Sequence, residues 1–140
     1  MEKEALEEAQ ICWNREEQKR AWTYSRIDAP DDAHGRLKSQ KKELHAYAEQ
    51  LGFVVVGSSE DLGGGLDFER AGIMEVMKAA EEGKFDVLLV KRLVCLGRDT
   101  VKMLEFLRGL DQLGIRIYSP MEGEIRLAQF AEQYRGHVWA

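Results

Sequence analysis

The pattern of apolar and polar positions predicts a β-strand over residues 20–27, whose side chains alternate between two faces and whose end leads into Asp28. Two shorter runs, residues 53–56 and 86–90, are almost continuously apolar and rich in β-branched residues, which predicts buried strands. The pattern of residues 115–118 (Ile-Arg-Ile-Tyr) predicts a fourth strand. In the first strand one face carries Trp22, Tyr24, Arg26 and Asp28, and the opposite face carries Ala21, Thr23, Ser25 and Ile27.

Between the strands, apolar residues recur at helical spacing. The pattern predicts helices over residues 36–51, 70–82, 100–113 and 124–134, and glycines at 52, 83 and 114 follow the first three as natural caps. Residues 58–69 and 119–123 are expected to be a loop and a turn. Residues 1–19 predict a helical extension docked by a narrow stripe of Leu6, Ala9 and Trp13.

Strands therefore alternate with helices along residues 20–140, which predicts one α/β domain with right-handed crossovers. The expected fold is a three-layer α/β/α sandwich around a mainly parallel sheet of four strands, or five. The turn at 119–123 leaves little room for a further edge strand.

Composition narrows the class of protein. The 140 residues are 44% hydrophobic, and 20 Lys+Arg against 25 Asp+Glu give a net charge of -5. That balance argues against tight autonomous DNA binding, which depends on neutralising phosphates. Cys12 and Cys95 fit neither a disulfide nor a metal spacing, and no apolar run is long enough to span a membrane. We expect a cytoplasmic protein with no metal, no cofactor and no membrane partner.

Arg26 and Asp28 end the first strand, at the edge of the sheet where α/β proteins usually bind ligands. The loop with three consecutive glycines, residues 63–65, offers accessible backbone N–H groups, as a phosphate-binding loop does. No P-loop lysine follows those glycines, so a flexible loop over the site is the favoured interpretation.

Four segments resemble motifs of the resolvase/invertase family of serine recombinases. Residues 24–28 (Tyr-Ser-Arg-Ile-Asp) resemble the family's Tyr-x-Arg-Val-Ser strand, and residues 37–40 resemble its Leu-x-x-Gln. Residues 61–73 are similar to its Asp-x-x-Ser-Gly segment with the following Arg-Pro-Gly-Leu. Residues 86–100 are similar to its Asp-Val stretch with Leu-Asp-Arg-Leu-x-Arg-Asp.

The resemblance implies site-specific DNA recombination through a serine that forms a 5′-phosphoseryl link without a metal, assisted by a cluster of arginines. It places Arg26, Arg70 and Arg98 on the phosphate-binding arginines and Gln40 on a further site residue. At the nucleophile position this chain has Asp28, and Val94 and Cys95 replace the family's Asp-Arg pair.

These departures predict a loss of strand-exchange activity, because a carboxylate at the attack point repels the scissile phosphate. Ser25 cannot substitute, since its side chain points to the opposite face of the strand. The expected arrangement is an ion pair in which Asp28 contacts one or more of Arg26, Arg70 and Arg98.

The C-terminal helix is apolar over much of its surface, and no basic arm or helix-turn-helix follows it in this sequence. We expect association through this helix, as a homodimer or with an intact recombinase, with weak or no DNA binding by the domain alone. Two alternatives stay open. One is an active DNA-cleaving enzyme that uses Asp28 or Cys95, and the other is a small anion- or nucleotide-binding domain.

Overall fold

The computed structural model describes residues 19–63, 71–93, 96 and 100–126. Its strands are β1 (Arg20–Ile27), β2 (Val54–Leu62), β3 (Val87–Val90), β4 (Arg116–Ser119) and β5 (Gly123–Ile125). Its helices are α1 (Arg36–Leu51), α2 (Ala71–Glu81) and α3 (Thr100–Gln112).

The five strands form one sheet in the order β2-β1-β3-β4-β5. The first four pair in parallel, and β5 runs antiparallel to β4. Each helix connects two parallel strands, so all three helices run opposite to the strands that they link. The carboxyl ends of β1, β2 and β3 therefore meet at one edge of the sheet, close to the beginnings of the helices.

Helices cover both faces of this sheet. On one face α1 contributes Leu44 and Ala48 to a small core with Ala21, Val87 and Leu89. On the other face α2 and α3 pack in a larger core that includes Tyr24, Leu88 and Val90. The three-layer α/β/α fold and the assignment of faces along β1 are confirmed.

The second strand is longer than the sequence pattern indicates, and the loop predicted from residue 58 is wrong over residues 58–62. Four of these five residues are polar, yet the segment pairs in parallel with residues 23–27 of β1. Side chains reinforce the pairing, since the Thr23 hydroxyl donates to Ser58 Oγ at 2.7 Å and the Trp22 indole N–H donates to Ser59 Oγ at 2.7 Å. Cross-strand hydrogen bonds thus extend a strand that hydrophobicity alone ends too early.

The prediction that residues 119–123 leave little room for an edge strand is also wrong. Gly123 adopts a positive φ of 74°, which turns the chain back so that residues 123–125 pair with β4. The helix predicted from Glu124 therefore does not include Glu124 and Ile125. Its remainder from residue 127, like the predicted helix of residues 1–18, lies outside the described residues.

At the amino-terminal end of the strands, Arg20 and Asp86 form an ion pair that is held by two side-chain hydrogen bonds. The Nε and Nη2 atoms of Arg20 donate to the Asp86 carboxylate at 3.1 and 3.0 Å. The Arg20 guanidinium holds the pKa of the Asp86 carboxyl below its ordinary value, chiefly through this side-chain hydrogen bonding. The contact ties the start of β1 to the start of β3.

Ser25 lies on the α1 side of β1, with its hydroxyl fully buried and without a hydrogen-bond partner among the described residues. A buried, unsatisfied hydroxyl costs about 1–3 kcal/mol. We expect Ser25→Ala to leave the free energy of unfolding unchanged or to raise it by up to about 1 kcal/mol, measured by urea denaturation.

Thr23 is the matched control for this prediction, because it lies on the same strand and face, is equally buried, and donates its hydroxyl to Ser58. Thr23→Val should lower the free energy of unfolding by about 1 kcal/mol. Equal losses from both substitutions would show that the Ser25 hydroxyl has a partner after all.

Candidate functional site

Arg26 and Asp28 meet at the carboxyl end of β1. Arg26 Nη1 donates to Asp28 Oδ1 at 2.6 Å, so the predicted contact is present in the structure. Only 6% of the Arg26 side chain is exposed, whereas 43% of the Asp28 side chain is. The guanidinium is thus held below the surface, and the carboxylate covers it from the solvent side.

Gln40 of α1 fixes the backbone of Arg26 rather than its guanidinium. The Gln40 side-chain oxygen accepts from the Arg26 backbone N–H at 3.0 Å, and its Nε2 donates to the Arg26 carbonyl at 3.3 Å. Gln40 is itself buried on the inner face of the helix. Helix α1 therefore positions the end of β1 through a side chain that the sequence comparison already placed at the site.

The charge of Arg26 is satisfied within the chain. Besides Asp28, the Nη1 atom donates to the backbone carbonyl of Gly63 at 3.3 Å, directly after β2. A buried guanidinium needs such acceptors, because an unpaired buried charge is strongly unfavourable. One nitrogen of the Arg26 guanidinium is therefore already engaged by a carboxylate and a backbone carbonyl.

Asp61 is a residue of this edge that the sequence reasoning did not single out. Its carboxylate accepts hydrogen bonds from the Tyr24 hydroxyl at 2.8 Å and from the backbone N–H groups of Gly72 and Ile73 at 2.9 and 3.1 Å. It thus caps the N-terminus of α2 and connects it to β1 and β2.

The close approach of Asp61 to α2 also explains the glycine at position 72. A Cβ atom built there would lie 2.5 Å from Asp61 Oδ2 and 2.6 Å from the Glu60 carbonyl oxygen. Asp61 lies eleven residues before Gly72 in the chain, too far for the local spacing of an N-cap to reveal it. The only sequence signal was its place in a segment that resembles a family motif.

The segment that follows β3 is anchored to the turn between β4 and β5. Ser119 Oγ donates to the Lys91 carbonyl at 2.5 Å, and the Glu122 carboxylate accepts from the Leu93 backbone N–H at 2.8 Å. These contacts fix the start of the connection that carries Cys95 and Arg98 in the sequence.

The structure therefore brings Arg26, Asp28 and Gln40 together. Arg70, Val94, Cys95 and Arg98 lie outside the described residues, and their role in the site remains a prediction. In the described part of the chain, no group of three His, Cys, Asp or Glu side chains is arranged to hold a metal ion. None of the three helices is long and apolar enough to cross a membrane.

Comparison with known proteins agrees with this architecture. A family model described as "Resolvase, N terminal domain" matches residues 21–135. The N-terminal catalytic domain of TP901-1 integrase is similar in structure, with a TM-score of 0.73 and 22% sequence identity over 85% of this chain and 96% of that domain.

Two further solved structures have TM-scores of 0.66. The C-terminal catalytic domain of ISC1926 TnpA, an IS607-like serine recombinase, is 27% identical over 71% of this chain and 69% of its own. A resolvase family site-specific recombinase from Streptococcus pneumoniae is 20% identical over 86% of this chain and 91% of its own. The chain therefore belongs to the resolvase family of serine recombinases, and residues 21–135 correspond to the family's N-terminal domain.

Proposed function

We propose that this domain does not cut or exchange DNA strands, because Asp28 stands where the family has its nucleophilic serine. The observation that carries the proposal is the 2.6 Å ion pair between Asp28 and the buried Arg26. In this arrangement the chain supplies its own anion to the guanidinium that would otherwise receive a DNA phosphate.

The chemistry of aspartate supports the same conclusion. Attack by a carboxylate on a phosphodiester would form an acyl phosphate, a mixed anhydride that water hydrolyses readily, whereas strand exchange needs a link that survives until the ends are rejoined. The approach itself is unfavourable, because two negative groups must come into contact. In some enzymes a catalytic aspartate does accept a phosphoryl group. In those reactions the group that departs from phosphorus is a better leaving group than the alkoxide of a DNA strand.

The role proposed in place of catalysis is association, with a second copy or with an intact recombinase. Residues 127–134, the part of the predicted C-terminal helix that lies outside the described residues, are rich in apolar side chains. The described chain ends at Arg126 beside an open groove of about 590 Å³, which is lined by four apolar residues (Leu107, Ile115, Ile117 and Ile125) and four charged ones (Asp111, Arg116, Glu124 and Arg126). A helix that follows Arg126, from this chain or from a partner, could pack in this groove against both apolar and charged side chains.

A covalent-adduct assay tests the proposed loss of activity. The full chain is mixed with supercoiled DNA and denatured, and the DNA is examined for attached protein and for relaxation, with a competent serine recombinase as the positive control. We expect no adduct and no relaxation from this chain.

The same assay includes two variants that identify the nucleophile if an adduct does form. An adduct that disappears in Asp28→Ala would contradict the proposal directly. An adduct that persists in Asp28→Ala and disappears in Cys95→Ala would instead establish the cysteine as the nucleophile. Sedimentation at several concentrations then tests whether the chain self-associates.

A further inference from the structure

The outer face of α1 carries a row of basic side chains, here named the α1 ridge: Lys38, Lys41, Lys42 and His45. They are spaced at i, i+3, i+4 and i+7, so they lie along one side of the helix. The buried face of α1 consists of Leu37, Gln40, Leu44 and Ala48. The ridge therefore lies outside the core, and it makes polar contacts with β2: His45 Nε2 lies 3.4 Å from Ser58 Oγ, and Lys41 lies near Glu60.

The ridge is cationic in a chain whose net charge is -5. Among the residues that the structure describes, Lys41 Nζ pairs with Glu60 at 3.7 Å, and both side chains are more than 40% exposed. Pairs of this kind are worth little in water. Glu43, the acid within the same stretch of helix, forms an ion pair with Lys91 at 3.7 Å and not with a lysine of the ridge. Most of the positive charge along the ridge is therefore exposed to solvent.

We propose that the α1 ridge binds the phosphate backbone of a single nucleic-acid strand. Four basic positions in a line of about 10 Å suit a linear polyanion rather than one compact anion. The exposed positions beside the ridge, Ser39 and Ala46, are small, so the helix has no apolar anchors that would insert into a membrane.

This surface is distinct from the Arg26–Asp28 pair and does not depend on the proposed loss of catalysis. Arg26 is buried and already holds a carboxylate, whereas Lys38, Lys42 and His45 are exposed and Lys41 is partly exposed. Binding by so few contacts in an acidic protein should be weak and strongly dependent on salt. It is thus compatible with the expectation that the domain does not bind DNA tightly alone.

Fluorescence anisotropy with a labelled oligothymidylate of about 20 nucleotides, in about 50 mM salt, tests the proposal. The ridge variant carries Lys38→Gln, Lys41→Gln and Lys42→Gln. The control variant carries Lys78→Gln, Lys84→Gln and Lys102→Gln, which removes the same charge from the α2 and α3 side of the sheet. Circular dichroism and thermal unfolding verify that both variants are folded.

The ridge variant should bind at least tenfold more weakly than the original chain, and its salt dependence should fall by about 2 in the slope of log K against log salt. The control should bind within about twofold of the original chain, since its cations lie away from the ridge. Equal losses in the two variants, or no measurable binding by the original chain, would overturn the proposal. Binding to phosphatidylserine vesicles without binding to the oligonucleotide would overturn it as well.

Discussion

Replacing Asp61 with alanine is expected to lower the free energy of unfolding by about 2–4 kcal/mol. The substitution removes an acceptor of the Tyr24 hydroxyl and of two backbone N–H groups at the start of α2. Tyr24 is fully buried, so its hydroxyl cannot simply turn to solvent. The lost hydrogen bond of that hydroxyl and the loss of the helix cap both contribute to the effect. Urea denaturation followed by circular dichroism measures it.

Asp32 provides a control for the capping part of this effect. Its carboxylate accepts from the Leu37 and Lys38 backbone N–H groups at 2.8 and 3.2 Å, at the start of α1 and near the surface. Asp32→Ala should therefore lower the free energy of unfolding by only about 1 kcal/mol. If Asp61→Ala costs no more than Asp32→Ala, the buried contact with Tyr24 contributes nothing and the account of Asp61 is wrong.

Replacing Asp28 with serine is expected to make the domain bind inorganic phosphate at least tenfold more tightly. The variant frees the Arg26 Nη1 donor from its 2.6 Å contact with a carboxylate and removes a negative charge from the entrance to the site. A factor of ten corresponds to about 1.4 kcal/mol, which is less than one charge-assisted hydrogen bond contributes. Isothermal titration calorimetry with phosphate measures the change.

Asp31→Ser is the matched control, because Asp31 is an exposed acid three residues away whose loss changes the net charge by the same amount. It should leave phosphate affinity within about twofold of the original chain, since a solvent-exposed charge is well screened. Addition of Arg26→Gln to Asp28→Ser should abolish the gain. An equal gain from Asp31→Ser would attribute the effect to net charge and not to the pair.

The main elements of the fold could be predicted from sequence because they have strong periodic patterns and clear ends. The predicted limits of β1 and α1 agree with the structure, since the turn-rich residues 29–35 follow the first strand and Gly52 follows α1 in the left-handed conformation. The second half of β2 could not be predicted, because its serines and acids are stabilised by partners on β1. The three-residue β5 is too short to have a pattern and depends on pairing with β4.

Some contacts of the candidate site could likewise be predicted from the sequence, and others could not. The contact between Arg26 and Asp28 follows from their separation of two residues at the end of β1, where the extended chain leads directly into Asp28 and keeps both side chains on the same side. The part that Gln40 plays depends on how α1 packs against the end of β1, and the contacts of Asp61 depend on where α2 begins in space. Neither arrangement is encoded in local spacing, so both required the structure.

The central claim is that Asp28 occupies the place of a DNA phosphate at Arg26. The most direct test is a crystal structure of the full chain grown from a high concentration of sulfate. We expect an Asp28 carboxylate oxygen within hydrogen-bond distance of Arg26 Nη1, as in the 2.6 Å contact of the present structure, with no sulfate on that guanidinium. A sulfate bound to Arg26, with the Asp28 side chain turned away from it, would contradict the account.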